Sequence, residues 1–455
     1  MQLIYKPSDK PGFSQTVVFA IQQLLAIMAA TLVVPIIIGH GMSSAAALFG
    51  AGVGTIVYLL FTKFRSPVFL GSSFAFIGSM GAAFAGAAST ALGYLGLIFG
   101  AFFAGLVYVA ISIAVKYAGV NWLNKLMPPV VIGPTVAIIG LSLAGNAVGD
   151  LQNGDVLNVA GASVANPLIA VLCGLVTLAV VTLCSTFGKK MVKLIPFIIG
   201  ILAGYAVALV FSIIGVAADV DALKLIDFSY FTALWDGGVG VKTFLALPDF
   251  TFLTAFGAFG ELSGSYIGTV AVAYVPVAFV VFAEHIADHK NISSIIGQDL
   301  LEDPGLSRTL LGDGVGSMAG AFFGGCPNTT YGESVACVAI TGNASVITIL
   351  YAAIGAIGIS FLSPFVAFVN SIPACVMGGV CIALYGFIAV SGLKMIQQVD
   401  LGKNRNLFVV STILVCGIGG LTLTFGKVTV TSIAVALILG ILVNILLGIK
   451  DTDEE

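Results

Sequence analysis

Long apolar stretches, separated by short polar ones, run along almost the whole chain. A helix that crosses about 30 Å of hydrocarbon needs roughly 20 apolar residues. By that length the pattern predicts helical membrane spans throughout the chain. The predicted full-length spans cover residues 14–38, 44–62, 91–116, 127–147, 164–185, 191–216, 265–289, 307–325, 343–364, 372–395, 404–424 and 428–449.

Two further apolar segments, 67–85 and 327–341, are short and interrupted by Gly, Pro, Ser and Thr. Pro67 and Pro327 disfavour helix at the start of each segment. Each segment is therefore predicted to begin extended and to continue as a half-helix. If both are counted, the chain has fourteen segments, of which the third and the tenth are broken.

Composition agrees with a membrane protein. Hydrophobic residues make up 59% of the chain and charged residues only 9%, against about 25% charged residues in soluble domains. The expected fold class is an all-α polytopic membrane protein embedded in the lipid bilayer. The net charge of −3 argues against a nucleic-acid partner. The sequence contains no nucleophile–base, zinc-protease or phosphate-loop motif, so we expect no enzyme.

The basic residues indicate an orientation. With the N-terminus inside and both short segments counted as crossings, 15 of the 18 Lys and Arg residues fall on the cytoplasmic side. Cytoplasmic loops of membrane proteins carry such an excess of Lys and Arg. Both termini are therefore predicted to be cytoplasmic, in a bacterial-type plasma membrane.

A polar stretch, 217–262, divides the chain into two halves of seven segments each. An odd number of crossings inverts the second half relative to the first. The fifth and twelfth segments share a Pro followed five residues later by Gly, at 128/133 and 373/378. Paired broken segments at corresponding positions point to a transporter binding site near the bilayer midplane. Chance recurrence in a Gly-rich chain is the alternative.

Three carboxylates lie next to or inside apolar segments. Glu284 and Asp288 are spaced i, i+4 and share one helix face, and Glu333 opens the tenth half-helix. A charge at membrane depth costs roughly 2.5–3.5 kcal/mol, so it usually has a function. Carboxylates accept hydrogen bonds from N–H groups, and outside water they hold a proton more readily. We therefore expect a small N–H-bearing ligand coupled to a proton. Carboxylates that only satisfy backbone N–H groups are the alternative.

Other polar and aromatic residues near these acids allow more than one interpretation. Phe74 could stack on a flat ligand or simply pack. His285 and His289 have the spacing of a metal pair, but no third ligand is in view; no metal is expected, and His289 is predicted at the membrane interface. Asp313 is expected to make a helix-interface hydrogen bond rather than a ligand contact.

The sequences FLGSSFAFI, VFAEHIADH, PNTTYGE and ALYGFIAVSG resemble the nucleobase–ascorbate transporter family, also called nucleobase:cation symporter-2, and within it the bacterial uracil permeases. The resemblance implies two inverted repeats of seven segments, a homodimer, and an elevator-like movement of a core domain against a gate domain. The implied divisions are core 1–116 (segments 1–4), gate 117–216 (segments 5–7), polar extracellular linker 217–262, core 263–364 (segments 8–11), gate 365–449 (segments 12–14) and acidic cytoplasmic tail 450–455.

The resemblance also assigns roles to individual residues. Uracil permeases can carry His at the proton-linked position, whereas purine-specific relatives carry Asp, as here. At the second carboxylate, purine carriers tend to have Gln, whereas this chain has Glu. The implied site consists of ligand-binding Glu284 and Glu333, backbone groups at Phe74 and Gly332 with Tyr331 adjacent, the gate-side aromatic Tyr385, and Asp288 for the proton.

Two further positions depart from the family pattern. The first span reads Gln22-Gln23 where many members have Gln-His, and Thr341-Gly342 stands where the family has Thr-Arg. The function implied is a proton-coupled uracil symporter that needs no cofactor besides the proton. A proton symporter for xanthine, uric acid or hypoxanthine is the alternative, and a channel is a more distant one.

Overall fold

The computed structural model describes residues 3–119, 127–158, 161–189, 191–425 and 428–448. Within these ranges the chain is mostly helical, as predicted; the acidic tail 450–455 lies outside them. The principal helices are α1 (Phe13–Ile38), α2 (Ser44–Phe61), α3 (Ile77–Ala85), α4 (Thr90–Ala118), α5 (Pro129–Ser142), α6 (Ala144–Asp150), α7 (Pro167–Phe187), α8 (Pro196–Ala217), α9 (Gly264–Ile296), α10 (Leu306–Gly324), α11 (Gly332–Thr341), α12 (Val346–Ser360), α13 (Ser363–Asn370), α14 (Ala374–Ile396), α15 (Asn404–Ile418) and α16 (Ser432–Gly448).

Eight of the described helices are long and apolar enough to cross a membrane, with α5 and α6 counted as one. The predicted spans 404–424 and 428–449 are wrong in detail, because their helices are shorter than predicted. Strands β3 (Leu423–Phe425) and β4 (Val428–Val430) form an antiparallel hairpin between α15 and α16. Alternating Thr with Val, Leu or Phe favours a strand over a helix here.

The two broken segments meet through a short pair of strands, where the sequence predicted extended backbone. Strand β1 (Leu70–Ser72) pairs antiparallel with β2 (Asn328–Thr330). The Ser73 N–H extends the ladder by donating to the Pro327 carbonyl at 2.9 Å. A 3₁₀ turn (Phe74–Phe76) leading into α3 follows β1, and α11 follows β2. Backbone N–H and C=O groups of each interrupted segment thus form hydrogen bonds with the other segment. In a low-dielectric interior these groups need such partners.

The helices pack in two groups. The first contains α1 to α4 and α9 to α12; the second contains α5 to α8 and α14 to α16. Close approach of α2 and α10 in the first group depends on glycine. A Cβ on Gly54 would lie 2.4 Å from the Asn328 side-chain nitrogen and 2.7 Å from the Gly316 carbonyl oxygen.

The segment between α8 and α9 is folded and is attached to both groups. Backbone N–H groups of Asp155 and Asn166, in the α6–α7 connection, donate to the carbonyls of Leu225 (2.8 Å) and Ala222 (2.7 Å). Near its other end, the Ser89 hydroxyl donates to Glu261 at 2.6 Å, just before α4. The segment therefore bridges the two helix groups on one face of the molecule.

Candidate binding site

A cavity of about 460 Å³ lies where α9 faces the beginnings of the two half-helices. This volume falls within the roughly 300–1,000 Å³ typical of small-molecule sites. Most of its wall is apolar. The predicted residues that line it are Phe74, Glu284, Asp288, Tyr331, Gly332 and Glu333.

The first two carboxylates project from the interior of α9. Glu284 follows Gly264, the first residue of α9, by 20 positions, which places it about 30 Å along the helix axis. Its side chain is nevertheless accessible from the cavity. Asp288, one turn further, accepts a hydrogen bond from the Thr330 hydroxyl at 2.7 Å. Strand β2 thus holds Asp288 in place, whereas Glu284 faces the open space.

The third carboxylate belongs to the start of α11. Glu333 is the second residue of this helix, and Tyr331, which precedes the helix, provides no side-chain cap. The first N–H groups of a helix have no partner within it and carry a partial positive charge. Glu333 and the Gly332 backbone therefore present an acceptor and donors to one cavity. The 3₁₀ turn that begins at Phe74 faces the same space.

The two tyrosines implied by the resemblance occupy different places. Tyr331 lines the cavity, but its hydroxyl donates to the Ser72 carbonyl at 2.7 Å and braces β1. Tyr385 is buried and is not part of the cavity wall. Its ring meets Phe74 edge to face, with centroids 6.3 Å apart, so Tyr385 packs against a residue of the cavity wall.

Sequence reasoning missed a polar junction beneath Glu333. The Ser334 hydroxyl oxygen accepts from the Phe69 backbone N–H at 3.0 Å and from the Gln23 side-chain amide. The junction joins the first, third and tenth segments directly behind a cavity-lining carboxylate. The signal available was Gln23 itself, a polar side chain deep in an apolar span.

The face of α9 that points away from the cavity carries a second polar network. His285 Nδ1 lies 2.7 Å from Asp313 Oδ2 on α10, and its Nε2 lies 3.0 Å from the Thr309 hydroxyl. Asp313 does not line the cavity. Its predicted role as a helix-interface hydrogen-bonding group is confirmed. The network holds α9 against α10 with Glu284 turned toward the cavity.

His289, which the sequence placed at the membrane interface, is enclosed by protein. Its side chain is fully buried, with Nδ1 2.8 Å from the His285 carbonyl and Nε2 2.7 Å from the Tyr58 hydroxyl. Because a carbonyl only accepts, Nδ1 carries the proton; Nε2 contacts the Tyr58 hydroxyl, which donates to Ser66 at 2.6 Å. Because His289 precedes Lys290 in the chain, the sequence suggested that it was exposed. Instead, Tyr58 on α2 covers it and provides a hydrogen-bonding partner.

The cavity opens on one side of the molecule. Its outer wall is formed by the end of α7, the beginning of α8 and the end of α14. These elements contribute Ser185, Phe197, Ser391 and Met395, and the connection between α7 and α8 contributes Lys193. The opening thus lies beside the Lys-rich connection between α7 and α8.

A multi-pass helical fold with acids and helix starts around an internal cavity is typical of membrane transporters. A family model described as "Permease family", with the short name Xan_ur_permease, matches residues 14–426. The chain belongs to this permease family. The resemblance noted in the sequence motifs is confirmed.

Curated relatives match along nearly their whole length. The chain is 38% identical over 442 residues to the uracil permease of Bacillus caldolyticus, covering 96% of this chain and 93% of the relative. It is 37% identical to the uracil permease of Bacillus subtilis, covering 96% and 94%. It is 34% identical to the uracil permease of Escherichia coli K12, covering 95% and 91%.

Solved structures share the fold at much lower identity. The transmembrane domain of the cyanobacterial bicarbonate transporter BicA superposes with a TM-score of 0.59 at 14% identity, covering 96% of this chain and 98% of BicA. The inward-facing murine anion transporter Slc26a9 gives a TM-score of 0.62 at 12% identity, covering 98% and 70%. At these identities the likeness concerns the fold alone.

Proposed function

We propose that this permease is a proton-coupled symporter for uracil. The observation that carries the proposal is the convergence of Glu284 and Glu333 with the starts of two half-helices in one cavity. A planar ring with adjacent N–H and C=O groups needs both acceptors and donors, and the carboxylates and helix N–H groups supply them. The names of the bacterial relatives give the same substrate.

In this proposal, Glu284 and Glu333 accept from ring N–H groups, while the backbone at Phe74 and Gly332 donates to ring carbonyls. Phe74, supported by Tyr385, provides a face for stacking. Asp288 exchanges the coupling proton, and no other cofactor takes part.

The transport cycle we propose uses fourteen segments in two inverted repeats. The first helix group is the mobile core and the second is the gate; their separate packing supports this division. With both termini cytoplasmic, the cavity opening beside Lys193 corresponds to an inward-facing state. A homodimer would hold the two gate domains fixed while each core moves.

Uptake measurements test the substrate. Cells without their own uracil carriers, expressing this protein, are expected to take up labelled uracil with saturable kinetics. Excess unlabelled uracil should remove the uptake and excess xanthine should not. Inhibition by xanthine at equal concentration would favour the purine alternative. Uptake that does not saturate and survives a protonophore would favour a channel.

Asp288→Asn tests the proton step separately. Asn keeps the size of Asp and can still accept from Thr330, but it cannot exchange a proton. In proteoliposomes, uracil accumulation driven by a pH gradient is expected to be lost, while exchange of labelled for unlabelled uracil continues. If the variant still accumulates uracil in response to the gradient, Asp288 is not the proton carrier.

A further inference from the structure

The segment between α8 and α9 exposes an unusual number of large apolar side chains. Residues 228–261 contain four charged residues among 34, about half of what a soluble segment carries. Leu247 is 78% exposed, Val241 76% and Trp235 54%. Phe244, Leu253 and Phe256 are also about half exposed or more. A polar linker in water would not present such a surface.

Aromatic contacts fix the depth of this segment relative to the spans. The Phe250 ring packs against Phe49 with centroids 4.8 Å apart, and Phe252 stacks on Phe322 at 4.8 Å. Phe49 is the sixth residue of α2, which puts it about 7–8 Å inside the helix end. Phe322 is the third residue from the end of α10. The segment therefore lies level with the last turns of the spans.

Those turns lie near the edge of the hydrocarbon. Helix α2 has 18 residues, so it is about 27 Å long, close to the roughly 30 Å hydrocarbon thickness. The short helix Thr251–Ala255 and the 3₁₀ turn Phe256–Glu261 pack on α4, which also exposes apolar residues such as Phe102 along its length. The apolar surface of the segment is thus continuous with a membrane-spanning helix.

We propose that residues 228–261 form an interfacial element, seated at the headgroup–acyl boundary of the adjoining leaflet. Its occupant is lipid: Val241, Phe244 and Leu247 enter the acyl region, and Trp235 anchors at headgroup level, where the amphipathic indole is favoured. The position of this element in the membrane does not depend on which solute the protein transports.

Fluorescence of Trp235 tests the proposal directly, because the chain has only two Trp residues. Trp122→Phe leaves Trp235 as the single reporter. The full-length protein is reconstituted in phosphatidylcholine brominated at either the 6,7 or the 11,12 acyl positions. We expect the shallow 6,7 label to quench about twofold or more, and the deep label to quench less, as an interfacial indole requires.

A matched reporter calibrates the measurement. Phe102→Trp, in a chain that also carries Trp122→Phe and Trp235→Phe, places indole on the exposed face of α4 near the middle of the bilayer. It should be quenched more by the 11,12 label. If Trp122→Phe does not fold, the fluorescence of Trp235 is obtained by subtracting the emission of Trp235→Phe from that of the parent protein.

Two results would overturn the proposal. Quenching of Trp235 by aqueous acrylamide without quenching by either lipid would place the segment in water. Protection from both acrylamide and lipid would mean that protein, such as a second copy of the chain, covers it.

Leu247→Ser combined with Val241→Ser should reduce the lipid quenching at Trp235 if these side chains seat the element.

Discussion

Replacing Glu284 by Gln is expected to reduce uracil uptake at least about tenfold, because a hydrogen bond to a charged group contributes roughly 1.5–3 kcal/mol. The substitution preserves side-chain length. It replaces one carboxylate oxygen by an NH2 group that only donates, so the side chain loses its negative charge and one of its two acceptor oxygens. Within the described parts of the chain no hydrogen bond fixes the Glu284 side chain, so no neighbour there compensates for the change.

Glu302→Gln is the matched control for this variant. The substitution makes the same chemical change as Glu284→Gln, but at an exposed position before α10. Uptake by this control should equal that of the parent protein. Both variants should reach the membrane in equal amounts, measured by a C-terminal tag. Parent-level uptake by Glu284→Gln at equal expression would contradict the assigned role.

Gly54→Ala is expected to cause a large loss of stability. The added methyl would occupy space held by the Asn328 side chain and the Gly316 carbonyl, both of which are buried or fixed in backbone. Overpacking usually costs about 1–3 kcal/mol, occasionally more. A backbone carbonyl cannot move aside as a side chain can. We therefore expect a cost of about 3 kcal/mol or more and a melting temperature lower by several degrees.

Gly358→Ala separates the steric effect from helix propensity. Gly358 lies in α12 with nothing within 4 Å of an added Cβ. Alanine favours a helix over glycine by up to about 1 kcal/mol, so this control should be unchanged or slightly stabilised. Thermal unfolding of the two purified variants in one detergent compares them. Equal melting temperatures would mean that α2 and α10 tolerate separation.

The apolar pattern predicted the helices well because hydrocarbon length imposes a strong constraint on each span. It also placed the extended backbone at Pro67 and Pro327, since proline and the residues around it exclude regular helix. The predicted spans 404–424 and 428–449 missed the hairpin between α15 and α16, because hydrocarbon length does not constrain short strands in this way. Mean hydropathy does not distinguish an apolar strand from an apolar helix.

The site was predictable to the extent that charge is costly in an apolar environment. Glu284, Asp288 and Glu333 stand out for that reason, and the structure places them on one cavity. Their supports were harder to foresee. The contacts of Ser334 with Gln23, and of Asp288 with Thr330, join segments far apart in the chain, and single-sequence periodicity contains no information on such pairs. The burial of His289 was not foreseen, because its partner, Tyr58, lies on another helix.

The pairing of β1 with β2 also constrains how the protein is made. The two strands are separated by 260 positions, as Leu70 and Thr330 show. Until the second strand leaves the ribosome, the first has no ladder partner, and an exposed strand edge is not stable in lipid. The nine-residue helix α3 is also too short to cross a bilayer alone. The third segment therefore waits, partly inserted or shielded, for the second half of the chain, so its final insertion is a late step that follows that of the long helices around it.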